Sequence, residues 1–222
     1  MNQSDRWFSA RVAEFTDRPQ AVAAPEHETA LALVAAATPR FGARGYDGVS
    51  VREITAAAGA NLGAITYHFG SKEGLYAAVV TSALRPLVEA VKRVVGRDAP
   101  PLERVGEVAR THFEQLHDHP WIPGLMLRVL LADRPPQALG GPLGDMIRAL
   151  TGLVMEGQME GSIRDGDPAL MGISILSVPI HLNLVQRPLQ AFTGVDVQEP
   201  ETRRGLADHA ASFVRAALEE RT

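Results

Sequence analysis

Ser50-Val51-Arg52-Glu53-Ile54-Thr55-Ala56-Ala57-Ala58-Gly59-Ala60-Asn61-Leu62-Gly63-Ala64-Ile65-Thr66-Tyr67-His68-Phe69-Gly70-Ser71-Lys72-Glu73-Gly74-Leu75 is the stretch whose reading decides the fold. Ser50 followed three residues later by Glu53 is a capping box, in which each side chain satisfies an orphan backbone donor of the other. Val51, Ile54 and Ala58 then share a helix face. Gly59 stands where that helix must stop, because a left-handed residue is cheapest without a Cβ. The spacing predicts a second helix capped by Asn61, with Leu62, Ile65 and Phe69 inward, and a third opened by Ser71. Two short helices joined by a Gly-containing turn form a helix-turn-helix.

Such short helices need backing, and the preceding residues supply it. Ala30, Val34, Ala37 and Phe41 form an apolar stripe that ends at Gly45, before a turn at Asp47-Gly48. The expected core is Val34, Phe41, Val51, Ile54, Ile65 and Phe69. Pro39 lies inside this first helix, where it removes a backbone bond and predicts a kink near Thr38.

The pattern Phe41-x-x-Arg44-Gly45-Tyr46-x-x-Val49-Ser50-Val51-Arg52-x-Ile54-x-x-x-Ala58-Gly59, followed by Tyr67-His68-Phe69-x-Ser71-Lys72-Glu73-x-Leu75, resembles the DNA-binding domain of the tetracycline-repressor (TetR) family. The likeness runs from about Glu28 to Leu84. It implies a dimeric, ligand-responsive transcriptional regulator. Arg40 departs from it, standing where that family usually has an apolar residue.

The whole chain has 222 residues, 45% of them hydrophobic and only 5% aromatic, so its core is mainly aliphatic. No cysteine is present, which excludes disulfides and thiolate metal sites and fits the cytoplasm. No signal peptide, membrane anchor or spanning stretch free of charge and Pro is found, so no membrane partner is expected. A net charge of −4 limits DNA binding to a local face.

Residues 1–25 precede the resemblance. Trp7, Phe8, Val12 and Phe15 are helically spaced among Arg6, Arg11 and Arg18, which suits a short helix folded on the body; the rival is an arm following a DNA groove. Residues 26–70 read as the helix-turn-helix domain and 71–95 as a connecting helix with a bend at Pro86. Residues 96–222 read as a helical ligand-binding and dimerisation bundle, with helices at Leu102–Asp118, Trp121–Ala132, Leu143–Met159, Pro168 onward to Ala191 (breaks at Pro179 and Pro188) and Glu201–Glu220. Arg134 to Pro142 reads as a loop. Neither repeats nor strand alternation appear, so the expected fold is all-α: a three-helix head followed by a helical bundle.

Recognition helices read bases from residues near their N-terminus. Here these are Asn61, Leu62, Gly63, Ala64 and Thr66. Asn61 suits adenine, Thr66 a base edge or phosphate, Leu62 and Ala64 thymine methyls, and Gly63 close backbone approach. By resemblance Ser50, Arg52, Tyr67, His68 and Lys72 hold phosphates, which set register without specifying sequence; the alternatives are a base contact for Arg52 and the cap role for Ser50. In the bundle, Phe113, Trp121, Met126, Met146, Leu150 and His181 are candidates to line a cavity for a small apolar or amphipathic organic ligand. His112, His117 and His119 with Glu114 and Asp118 read as scattered surface groups rather than a metal site. No nucleophile elbow, phosphate loop or carboxylate pair is present, so neither enzyme activity nor a cofactor is expected. The expected partners are operator DNA and a second copy of the chain, paired through Ala169–Ala191 and Glu201–Glu220. The rival function is a helix-turn-helix regulator without a small ligand, governed by a protein partner or by autoregulation.

Overall fold

The computed structural model describes residues 27–131 and 140–220. Both readings of residues 1–25, and most of the loop expected from Arg134, lie outside those residues. Among them the helices are α1 (Glu28–Arg44), α2 (Val51–Ala57), α3 (Ala64–Phe69), α4 (Lys72–Val95), α5 (Pro101–Asp118), α6 (Ile122–Leu130), α7 (Gly140–Glu160), α8 (Pro168–Leu184), α9 (Gln186–Thr193) and α10 (Pro200–Leu218). The described residues contain no strand, only an isolated bridge between Ile163 and Glu219. The fold is all-α.

Two compact units account for the contacts. Among the described residues the head unit takes 27–86, 121–131 and 140–142, and the body unit takes Leu87–Pro120 and 143–220. Helix α4 contributes to both, with the division falling directly after Pro86. By length and composition α4 resembles a membrane span. Its Leu75, Val79, Leu84, Leu87 and Val91 are buried by protein neighbours, as in a core helix.

In the head, α1 packs on α2, α3 and α6. Leu33, Phe41, Ile54, Ile65 and Leu75 are fully buried, each such side chain contributing about 1.5–3 kcal/mol. Val51 and Phe69, expected in this core, are only half-buried, and Leu62 is 53% exposed. α1 runs uninterrupted through Pro39. The carbonyl that Pro39 leaves without a helical donor belongs to exposed Ala35, where water can reach it. On either side Thr38 Oγ1 donates to Val34 O (2.7 Å) and Arg40 Nη1 to Ala36 O (2.6 Å), which gives Arg40 a backbone role at its unusual position.

The body core is built from Val88, Val91, Val105, Val108, Ala109, Met146, Leu150, Leu153, Ile175 and Val214. α5 packs on α8 and α10. Gly172 lets α8 approach α7 closely, since a Cβ there would sit 3.3 Å from the backbone of Leu150 and Thr151. Two expected boundaries shift. α7 begins at Gly140, because Pro142 lies in its first turn, where an amide proton has no helical partner to lose. α8 passes through Pro179 unbroken, and the chain bends by 50° at Val185, where Pro188 offers no donor to Leu184. A polar chain seals that bend. Gln186 Nε2 lies 3.1 Å from His117 Nδ1 and donates to Asn183 Oδ1 (2.7 Å), while Asn183 Nδ2 donates to Phe113 O (3.2 Å) and Pro179 O (2.9 Å).

The expectation of surface imidazoles holds for exposed His119 and is overturned for the other two. His117 is buried, and His112 is 0% exposed with neither ring nitrogen hydrogen-bonded. Burial pushes the His112 pKa from 6.5 down to about 3, because an imidazolium there would lose its hydration without compensation. The unfolded chain therefore binds this proton at a higher pH than the folded one. Stability should fall as pH drops from about 6.5 toward 3, by up to about 1.4 kcal/mol per pH unit from this residue. Urea unfolding measured across that range should show a flatter dependence in His112→Leu than in the wild type.

Candidate nucleic-acid interface

The start of α2 is held by reciprocal bonds. Ser50 Oγ accepts from the Glu53 amide (3.2 Å), and the Glu53 carboxylate accepts from the Ser50 amide (2.8 Å) and hydroxyl (2.9 Å). Glu53 also pairs with Arg44, the last residue of α1, at 2.9 Å. The Ser50 amide, then its hydroxyl, then Arg44 hold the Glu53 pKa down to about 2. The turn follows through Gly59 at φ +65°, with Ala60 N donating to Thr55 O. α2 and α3 pack on one another and on α1, completing a helix-turn-helix.

α3 differs from its expected start. Its N-cap is Gly63, without a side-chain bond, and Ala64 N donates to the backbone oxygen of Asn61. Asn61 therefore does not cap with its side chain. Asn61, Leu62 and Gly63 form an exposed turn ahead of the helix, Thr66 is exposed, and Tyr67 is 83% exposed. Ala64 is buried with Ile65 in the head core, so its methyl group is turned away from any base. Arg52 is exposed and makes no ion pair among the described residues. Ser71 caps α4 as expected, its Oγ accepting from Gly74 N at 3.0 Å.

Lys72 is positioned by an aromatic cluster. Its ammonium lies 4.3 Å from the centroid of the Tyr46 ring, and Tyr46 packs on Tyr76 at 5.3 Å and on Phe41 at 6.2 Å. His68 meets Tyr67 edge-on at 4.8 Å and His27, just before α1, at 5.6 Å. Neither Tyr46 nor His27 stood among the sequence candidates. Tyr46 lay within the quoted motif, whereas no local pattern joins His27 to His68 across forty intervening positions. Between residues 27 and 86 the carboxylates are Glu28, Asp47, Glu53 and Glu73, against the cations Arg40, Arg44, Arg52, Lys72 and Arg85. The head thus escapes the negative balance of the whole chain, as a DNA-facing surface requires.

The cavity candidates are distributed over both units. Phe113, Met146 and Leu150 are buried in the body, while Trp121 and Met126 belong to the head unit. There Trp121 lies against Gly42 of α1, and Arg128 Nη2 of α6 donates to Ala43 O at 3.3 Å. His181 is exposed in a groove of ≈ 340 Å³ with Ser177, Val178, Leu182, His209 and Phe213. Among the described residues no three His or acidic side chains converge as metal ligands.

A capped helix-turn-helix with an exposed polar and aromatic face defines a DNA-binding protein. Comparison with known proteins agrees. Residues 33–79 match the pattern described as "Bacterial regulatory proteins, tetR family". The HTH-type transcriptional regulator RutR of Escherichia coli K12 is 27% identical over 170 residues, 76% of this chain and 80% of that protein. The structure of the ketosteroid transcriptional regulator KstR2 of Mycobacterium tuberculosis superposes with a TM-score of 0.66 at 22% identity, covering 90% of this chain and 100% of that one. That of AibR, in complex with isovaleryl coenzyme A and operator DNA, does so at 0.65 and 21%, covering 83% and 97%. Residues 33–79 thus form a DNA-binding head of the tetR type, and the chain is a DNA-binding transcriptional regulator.

The Ser50 cap yields the test of this local architecture. Ser50→Ala should destabilise the head by about 1 kcal/mol, the usual cost of losing such a cap. Hydrogen exchange should report faster opening of α2 while α8 and α10 stay protected.

Proposed function

We propose that this protein is a homodimeric repressor that sits on a pseudo-palindromic operator and is released by a small apolar or amphipathic organic molecule. Residues 26–70 are the DNA-binding part, 71–95 the connecting helix, and 96–222 the effector and dimerisation part. The observation that carries the DNA half is the exposed surface of the recognition turn and α3. Asn61 and Thr66 are free to reach base edges, Leu62 a thymine methyl, and Gly63 permits close approach. Ser50, Arg52, Tyr67, His68 and Lys72 hold the backbone. The site of action is the cytoplasm.

Dimerisation is supported by an exposed apolar strip on α8 and α10. Leu170 and Phe213 are 41% and 54% exposed, and Ser174, Ser177 and Ala217 leave room for close helix approach. A two-fold contact would bring each strip onto its own copy. Paired heads read half-sites about one helical turn, ~34–36 Å, or a multiple of that apart. Selection from random duplexes should therefore enrich an inverted repeat, and a pool without one overturns the dimeric reading. Tyr67→Ala and Lys72→Ala should weaken all sequences alike, whereas Asn61→Ala and Thr66→Ala should change which sequence wins.

The effector half is supported by two solved structures of similar fold, AibR in complex with isovaleryl coenzyme A and operator DNA and the ketosteroid transcriptional regulator KstR2. Two features of this chain suit a coupled switch. α4 passes between the units at Pro86, and α6, flanked in sequence by body helices, packs on α1. An effector acts only through its differential affinity for two states, and operator DNA must weaken its binding by the same factor, typically 5–150-fold. A thermal-shift screen of metabolites followed by operator-release assays tests this. Pro86→Ala and Arg128→Ala should shift the effector concentration for half-release several-fold with operator preference intact. A protein that binds its operator but responds to no compound would instead favour control by a protein partner or autoregulation.

A further inference from the structure

We infer that His27 is a second-element contact to the DNA backbone, holding one phosphate jointly with His68. This rests on the DNA-facing reading of α3 and extends that surface beyond the helix-turn-helix onto the start of α1. The two rings lie 5.6 Å apart at an interplanar angle of 44°, and Tyr67 meets His68 edge-on at 4.8 Å. His27 is exposed and His68 half-buried, so ring nitrogens of both remain open to solvent. Neither imidazole is spent inside the protein. His27 precedes α1 without forming a side-chain cap bond, and among the described residues neither ring has a hydrogen-bond or ion-pair partner.

The surroundings make this pair matter. Of the five cations between residues 27 and 86, Arg44 is committed to Glu53, Arg40 to Ala36 O, and Lys72 is seated over Tyr46. α3 itself carries no Lys or Arg, so His68 is its only side chain able to present a cation to a phosphate. A phosphate oxygen within reach of both rings would accept an N–H from each, the geometry of two donors on one anion. Held so, the phosphate fixes how far α3 enters its groove, because one donor travels with α3 and the other with α1. The pair therefore positions the head without reading sequence.

Backbone contacts do not depend on sequence, so a labelled mixed-sequence duplex of about 30 base pairs is a sufficient probe. Anisotropy titrations with the full chain over about 50–200 mM salt should show His27→Ala and His68→Ala each weakening binding about tenfold, as for one lost hydrogen bond to a charged group. His27→Phe keeps the ring contact with His68 but cannot donate, and should fall as far as His27→Ala. His27→Arg should restore binding. The double variant should weaken binding by less than the product of the single effects, since both act on one phosphate. A His27→Phe protein with wild-type affinity overturns the proposal, leaving His27 as a packing residue, and strictly multiplicative effects overturn the shared phosphate. If Tyr67→Ala and Lys72→Ala also bind as wild type, the DNA-facing reading itself fails. Unchanged thermal midpoints in the His27 variants exclude misfolding as the cause.

Discussion

The Glu53 carboxylate is the interaction on which the head depends. Helices of six and seven residues do not persist alone in water, because nucleation costs more than so few bonds return. Glu53 closes the first turn of α2 through Ser50 and pairs with Arg44 at the end of α1. One anion thus fixes where α2 begins and how it leaves the supporting helix. The turn at Gly59 and the exposed surface of α3 inherit their placement from it. Hydrogen bonds that stabilise the charged form keep Glu53 ionised well below the usual carboxylate range.

The body uses buried polar groups differently. Arg104 lies in the core boundary, donating to the terminal carbonyl of α4 at Val95 (2.7 Å) and pairing with Glu156 of α7. The His117–Gln186–Asn183 chain closes the α8–α9 bend with directed bonds. His112 has no such partner and lowers stability when protonated. A satisfied network specifies geometry, whereas an orphaned group makes the fold sensitive to conditions. The body is therefore pinned at the α8–α9 bend and sensitive to acid at the middle of α5.

The basic and imidazole side chains of the head are held by several elements rather than one. Lys72 at the start of α4 is seated on Tyr46 from the α1–α2 turn, and His68 on α3 lies beside His27 ahead of α1. On a chain of net charge −4, Lys72 is held in place by its aromatic seat. Seating a flexible side chain in advance reduces the entropy lost on binding.

Much of the head was legible in the sequence because its signals are local. Ser50 with Glu53, Gly59 at positive φ and Ser71 before α4 are decided within one turn by backbone donors and steric limits. The start of α3 was misread because Asn61 has a capping residue's chemistry, and only the path of the turn shows that its backbone oxygen accepts the bond. Leu62 and Ala64 exchanged places between core and surface for the same reason: with the helix starting at Ala64, Leu62 falls in the exposed turn and Ala64 lies beside buried Ile65. The burial of His112, the packing of α6 on α1 and the meeting of His27 with His68 belong to tertiary structure alone. By itself the sequence determined the order of the helices, the helix-turn-helix and the DNA-binding class. Which residues distant in the chain share a surface was decided only by packing, because burial and cross-element distance depend on how the helices stack and leave no periodic trace.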